Sequence, residues 1–120
     1  MSYQLTPTTV VYRSAVALAA AQGSALSPIA FIAFTSDASP YQPDVDDTLP
    51  GEFKRLPAIL SVAGPVVTAR AVLTGVDAGG HVIRGAAVFT EDGTLVGRRA
   101  LSPKELELET ELEIEITFEY

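Results

Sequence analysis

The 120-residue chain has no cysteine, no tryptophan, one histidine and one methionine. Without cysteine there is no disulfide scaffold, no thiolate nucleophile and no Cys-based zinc or iron–sulfur site. The single imidazole, His81, excludes multi-histidine metal sites and leaves one residue for imidazole base chemistry. The start, MSYQLTPTTVVYRS, lacks the basic n-region and small-residue cleavage site of a signal peptide. No apolar run reaches the roughly 18–20 residues of a membrane span, so no membrane partner is expected. Apolar residues, by contrast, are plentiful, at 48% of the chain. That is enough to bury a core, and the length predicts a single domain over residues 1–120.

Unbalanced charge is also absent from most of the chain. Residues Met1 to Lys104 hold eight acids and eight bases, which sum to zero. Residues Glu105 to Tyr120 hold seven glutamates and no base, and so carry the whole formal charge of −7. The only adjacent bases are Lys54-Arg55 and Arg98-Arg99. Displacing phosphate counterions takes more than that, so nucleic acid is not an expected partner.

Residues 8–22 predict a helix, with Thr6 as cap, Pro7 in the first turn and Gly23 as stop. Val11, Ala15, Leu18, Ala19 and Gln22 recur at spacings of three and four, and Tyr12 and Val16 widen the apolar side. The run from Pro28 to Thr35 is nearly all apolar and reads as a strand buried on both faces. Residues 36–51, SDASPYQPDVDDTLPG, have three prolines and four aspartates and no period. They predict a long loop, functional or anchored by a neighbour. Glu52 to Val62 fits either a short strand or a helical turn broken at Pro57.

From residue 65 to 120 the pattern predicts an antiparallel β-meander. An alternating strand, Pro65–Val76, is followed by a turn at Asp77–Gly80 and a return strand, His81–Thr90. Asp92-Gly93 marks a second hairpin, and a third strand, Thr94–Leu101, stops at Ser102-Pro103-Lys104. The last segment has the strictest period. Leu106, Leu108, Thr110, Leu112, Ile114, Ile116, Phe118 and Tyr120 share one parity, and the glutamates from Glu105 to Glu115, with Thr117 and Glu119, share the other. Only a strand sorts two such sets onto two faces. The glutamates must be solvated or paired, with Arg70, Arg84, Arg98 and Arg99 as candidate partners. The expected fold class is α+β: one N-terminal helix packed on a mainly antiparallel sheet or sandwich with a long terminal strand.

Few residues suggest chemistry. Asp44, Asp46 and Asp47 have the D-x-D spacing of a hard-cation ligand set, but the glycine and distal glutamate of an EF-hand are not at their offsets. Two of these carboxylates would suffice for glycoside hydrolysis. No serine lies in a G-x-S-x-G elbow that His81 could serve. The glycines of Val76–Gly80 lack the Lys-Ser/Thr of a phosphate loop. No catalytic residue, cofactor or metal is therefore expected. The competing reading is a small β-rich hydrolase or ligand-binding domain that uses the loop aspartates with His81.

The order of parts resembles the N-terminal domain of phage tail-collar fibre proteins. The carrying residues are an alanine-rich helix, Ser14–Gln22; a short apolar strand, Ile29–Phe34; and a Pro/Asp loop from Tyr41 to Leu49, followed by Lys54-Arg55. Then come Ile83-Arg84-Gly85, the hairpin sequence Val88-Phe89-Thr90-Glu91-Asp92-Gly93-Thr94-Leu95-Val96, and the alternating strand Leu106–Phe118. Where that family has a glycine-aspartate pair after the first strand, this chain has Thr35-Ser36-Asp37. The resemblance implies a non-enzymatic structural part of a phage or phage-like tail, made in the bacterial cytoplasm and joining fibre to baseplate. It implies other tail or baseplate proteins as partners and a homo-oligomer, with a trimer favoured, whether the chain stands alone or forms the base of a longer fibre. The expected interface comprises Tyr41, Asp44, Asp46, Asp47, Lys54 and Arg55 on and after the loop, with Glu109, Glu111 and Glu113 on the terminal strand.

Overall fold

Strands with one greasy face need a second layer to bury it, and the structure supplies one by facing two sheets against each other. The computed structural model describes residues 5–120. Its elements are α1 (Val10–Gln22), β1 (Ile29–Thr35), β2 (Glu52–Pro57), β3 (Ile59–Ala63), β4 (Val66–Thr74), α2 (Gly75–Ala78), β5 (Ile83–Thr90), β6 (Leu95–Lys104) and β7 (Glu111–Glu119). A four-stranded sheet has the order β2-β1-β5-β6, and a three-stranded sheet the order β3-β4-β7. All paired strands are antiparallel, so the fold is α+β, with its one long helix N-terminal. The main core lies between the sheets and includes Ile32, Phe34, Leu73, Ile83, Val88, Val96, Ile114, Ile116 and Phe118.

The chain changes sheet three times, and each crossing corrects a sequence expectation. The stretch after Glu52 is two strands, with Ala58 between them as the chain passes from one sheet to the other. The predicted hairpin of β4 on β5 does not form. Thr74 instead caps the short helix α2, its hydroxyl accepting from Asp77 N at 3.1 Å, and carries the chain across to the other sheet. Both strands have apolar faces, Ala71 and Leu73 on one and Ile83, Ala86 and Val88 on the other. Facing each other across the core buries both at once. The third crossing shortens the terminal strand to Glu111–Glu119. Its partner β4 ends at Thr74, opposite Glu111, so the alternation of Leu106 to Thr110 has no ladder to join. There the chain turns, Thr110 N donating to Glu107 O at 3.0 Å and Gly75 N to Thr110 O at 2.9 Å.

Within β7 the parity is as the sequence predicts: Ile114, Ile116 and Phe118 are buried, and Glu111, Glu113 and Glu115 are exposed. Strand β6 runs past Ser102-Pro103 to Lys104, because an edge strand tolerates the missing proline N–H. The helix starts at Val10, two residues later than predicted, with Thr9 as its cap where Thr6 was expected. Thr9 also binds β6, its N–H to Val96 O at 2.9 Å and its hydroxyl to Leu95 O at 2.5 Å. Tyr12 is the one buried residue of α1, while Val11 and Leu18 of the predicted inner stripe are exposed.

Candidate functional site

A loop of sixteen residues rich in proline cannot satisfy its own backbone, so its order depends on what it is tied to. Here the tie is Arg98 of β6. Strand β6 has an extra residue, Val96, where Val88 pairs with Gly97 and Phe89 with Leu95. That bulge reverses the parity of the residues after it and aims Arg98 to the outer face of the four-stranded sheet, beside Ala87. Its guanidinium is nearly enclosed. It donates to Ser39 O at 3.1 Å and to Pro40 O at 2.9 Å, and pairs with Asp46 through Nε at 3.2 Å and Nη2 at 2.8 Å.

The rest of the loop closes around this clasp. Asp46 Oδ2 also accepts the Gln42 N–H at 2.9 Å. Burial pushes the Asp46 carboxyl up, but the Gln42 N–H and the Arg98 guanidinium outweigh it and hold the group below the ordinary carboxylate range. Tyr41 donates its hydroxyl to Pro7 O at 2.6 Å; burial and the Asp46 charge push that hydroxyl up to about 12. Pro43 O accepts the first helical N–H, from Val10, at 2.9 Å. Asp44 pairs with Arg13 of α1 at 3.2 Å. At the far end the Thr35 hydroxyl donates to Pro50 O, and Leu49 is buried with Ala33, Ala87, Phe89 and Leu95 in a second, smaller core.

The register continues this face across the sheet. Arg55 on β2 stands opposite Ala33, Ala33 opposite Ala87, and Ala87 opposite Arg98. Arg55 lies over the Phe89 ring at 4.1 Å and makes two bonds to Glu52, at 2.9 and 2.8 Å. The Glu52 carboxylate holds the Arg55 guanidinium above its ordinary value. The loop is thus a fixed plate on the outer face of one sheet, with an arginine–carboxylate pair at each side and Asp44 and Asp47 exposed to solvent.

The nine residues expected to form one interface divide among four places. Tyr41, Asp44, Asp46, Asp47 and Arg55 belong to the plate. Lys54 is turned to the other side of β2, where it pairs with Asp77 of α2 at 3.4 Å. Glu111 and Glu113 stand on the outer face of the three-stranded sheet, Glu113 paired with Arg70 at 3.5 Å, and Glu109 lies in the turn before β7. Of the other arginines expected to face the glutamate ladder, Arg99 reaches only the backbone, Glu115 O at 3.5 Å, and Arg98 serves the loop. His81 stacks flat on Phe53, centroids 4.5 Å apart, and Asp44 pairs with α1, so these two members of the competing site are held by different elements. Among the described residues no three His, Asp or Glu side chains are grouped as metal ligands. Sequence reasoning missed the role of Arg98 in the loop, because a bulge and not a period decides where it points. No family model matches the chain, and neither a curated protein nor a solved structure matches it.

Proposed function

We propose that the protein is a structural component of a phage or phage-like tail, placed where a fibre meets the baseplate and working through protein–protein assembly. The observation that carries this reading is the clasp of Arg98 on Asp46, Ser39 and Pro40, which turns a Pro/Asp loop into a rigid outward plate. A ligand-binding or catalytic loop needs free polar groups aimed at a shared point. In this loop Asp46 and Tyr41 are engaged in internal bonds, while Asp44 and Asp47 face outward from the plate. Pre-ordered and mixed in charge, such a surface docks onto another folded protein at little entropic cost. The Val88–Val96 hairpin supports the same reading. Gly93 has φ of +93°, and Asp92 accepts from Thr94 N at 3.3 Å and Thr94 Oγ1 at 3.0 Å, which rigidifies the sequence that carries the family resemblance.

Immunogold electron microscopy of purified tail particles tests the proposal. The label is expected at the junction of fibre and baseplate. Recovery of the chain only in the particle-free fraction, or label along the tail tube, would overturn it.

A further inference from the structure

We propose that the open edge of β3 pairs with the β3 of a second copy of this chain, antiparallel about a two-fold axis through Ser61. This inference stands apart from the tail reading and rests on different residues. Exposed sheet edges normally carry charge, proline or a bulge that discourages added strands. The four-stranded sheet obeys this: edge strand β2 carries Glu52, Lys54 and Arg55, and edge strand β6 carries Arg98, Arg99, Pro103 and Lys104. In the three-stranded sheet, β7 is bordered by the N-terminal segment, with Thr6 N donating to Thr117 O at 2.8 Å. Strand β3, Ile-Leu-Ser-Val-Ala, has no charge, no proline and an unshifted register.

Its side chains are as unprotected as its backbone. Leu60 and Val62 stand opposite Ala69 and Val67, so they are on the face that elsewhere forms the core, yet they are 43% and 70% exposed. The opposing sheet does not extend over them. They line an apolar groove with Leu26, Ile29 and Tyr12. Ala63 and Val66 flank the two-residue turn at Gly64-Pro65 and form a hydrogen-bonded pair, which leaves the N–H and C=O groups of Leu60 and Val62 directed to the open edge. One step further back on the same edge, Ala58 donates its N–H to Ala30 O at 2.9 Å; beyond it that side of the ribbon has no neighbouring strand among the described residues.

A second copy fits this edge for two reasons. In the two-fold register Leu60 meets the other copy's Val62, and Ile59 meets Ala63, large against small with no charge facing charge. The resulting sheet runs β7-β4-β3-β3-β4-β7, which puts the two glutamate-bearing strands at its opposite ends. At about 4.8 Å per strand they are roughly 24 Å apart. That exceeds the Debye length of about 8 Å at physiological salt, so the acidic edges do not oppose the contact. A five-residue ladder falls short of the roughly 1,200 Å² of a stable interface, so the dimer is weak and concentration-dependent.

Sedimentation velocity from about 1 µM to 1 mM, the range of weak to moderate dissociation constants, tests the pairing. The wild type is expected to move from one chain to two. Val62→Glu, at an exposed position, should raise the dissociation constant about tenfold or more without changing the thermal melt. The double variant Leu60→Lys/Val62→Glu should restore dimerisation, because only the two-fold register sets the introduced lysine of one copy against the introduced glutamate of the other. As an independent readout, Ser61→Cys should cross-link to itself on mild oxidation much faster than Ser102→Cys. Paired residues between the hydrogen-bonded pairs have Cα atoms about 4.5 Å apart, within disulfide reach. A monomer throughout the range, a trimer, or a dimer indifferent to Val62→Glu with no preferential cross-link at position 61 would overturn the proposal.

Discussion

Replacing Asp46 by alanine removes the carboxylate that pairs with the Arg98 guanidinium, whose side chain is 7% exposed. Breaking a buried ion pair from one side costs about 3–5 kcal/mol, chiefly because the remaining charge stays buried without its partner. Arg98 keeps its bonds to Ser39 O and Pro40 O, which places the expected loss near the lower end, at about 3 kcal/mol. Domains of this size have about 5–15 kcal/mol in all, so the variant folds but is visibly weakened. With a urea dependence of about 2 kcal/mol per molar, the unfolding midpoint drops by about 1.5 M. Asp46→Asn keeps an acceptor for Arg98 and should lose only about 1 kcal/mol. The clasp gathers Ser39, Pro40 and Asp46 on one guanidinium, so limited proteolysis should cut residues 36–51 sooner in Asp46→Ala than in the wild type. A midpoint within about 0.3 M of wild type, with unchanged cleavage, would refute the claim that the clasp orders the loop.

The same pair gives a pH dependence. Asp46 is held below its ordinary value in the folded chain, so its contribution is complete above about pH 4 and is lost as pH falls through its folded value. Urea midpoints measured from pH 6 downward should therefore fall less steeply in Asp46→Asn than in the wild type. On β7, Ile114→Asp puts an unpaired carboxylate into the main core and should cost more than about 4 kcal/mol, whereas Glu113→Lys on the exposed face loses only the Arg70 contact and should shift stability by less than about 1 kcal/mol. Circular-dichroism melts of the two variants should show one largely unfolded and one close to wild type. Gly75→Ala would drive a methyl group into the Glu107 carbonyl and the Leu108 backbone, and should lower the melting temperature by several degrees through displacement of the turn that leads into β7.

Local pattern determined how much could be read from the sequence. The period of two in Leu112–Phe118 gave the buried and exposed faces of β7, and Asp92-Gly93 gave the β5–β6 hairpin, because both depend on neighbours in the chain. The sheet crossings were not legible. Asp77–Gly80 has the chemistry of a tight turn, and nothing local says that the strands on either side belong to different sheets. Strand β7 stops where β4 stops, and the alternation of Leu106–Thr110 cannot know that. The helix misled for the opposite reason: its alanine-rich stripe fits an inner face, yet Tyr12 is the buried residue of α1, with Val16 partly buried against the same core, while Val11 and Leu18 are exposed. In the candidate site, the loop and its aspartates were legible from composition. Their grouping was not, because Arg98 reaches Asp46 only through the bulge at Val96, and Lys54 and Arg55, adjacent in sequence, project to opposite faces of β2.

Cross-linking mass spectrometry on intact tail particles, with a reagent that joins carboxylates to amines, tests the assembly role most directly. Asp44 and Asp47 on the solvent side of the loop plate should link to lysines of a baseplate or fibre protein, and those links should disappear in Asp46→Ala. Particles that lack this chain, or that carry it with no link from either aspartate, would contradict that role.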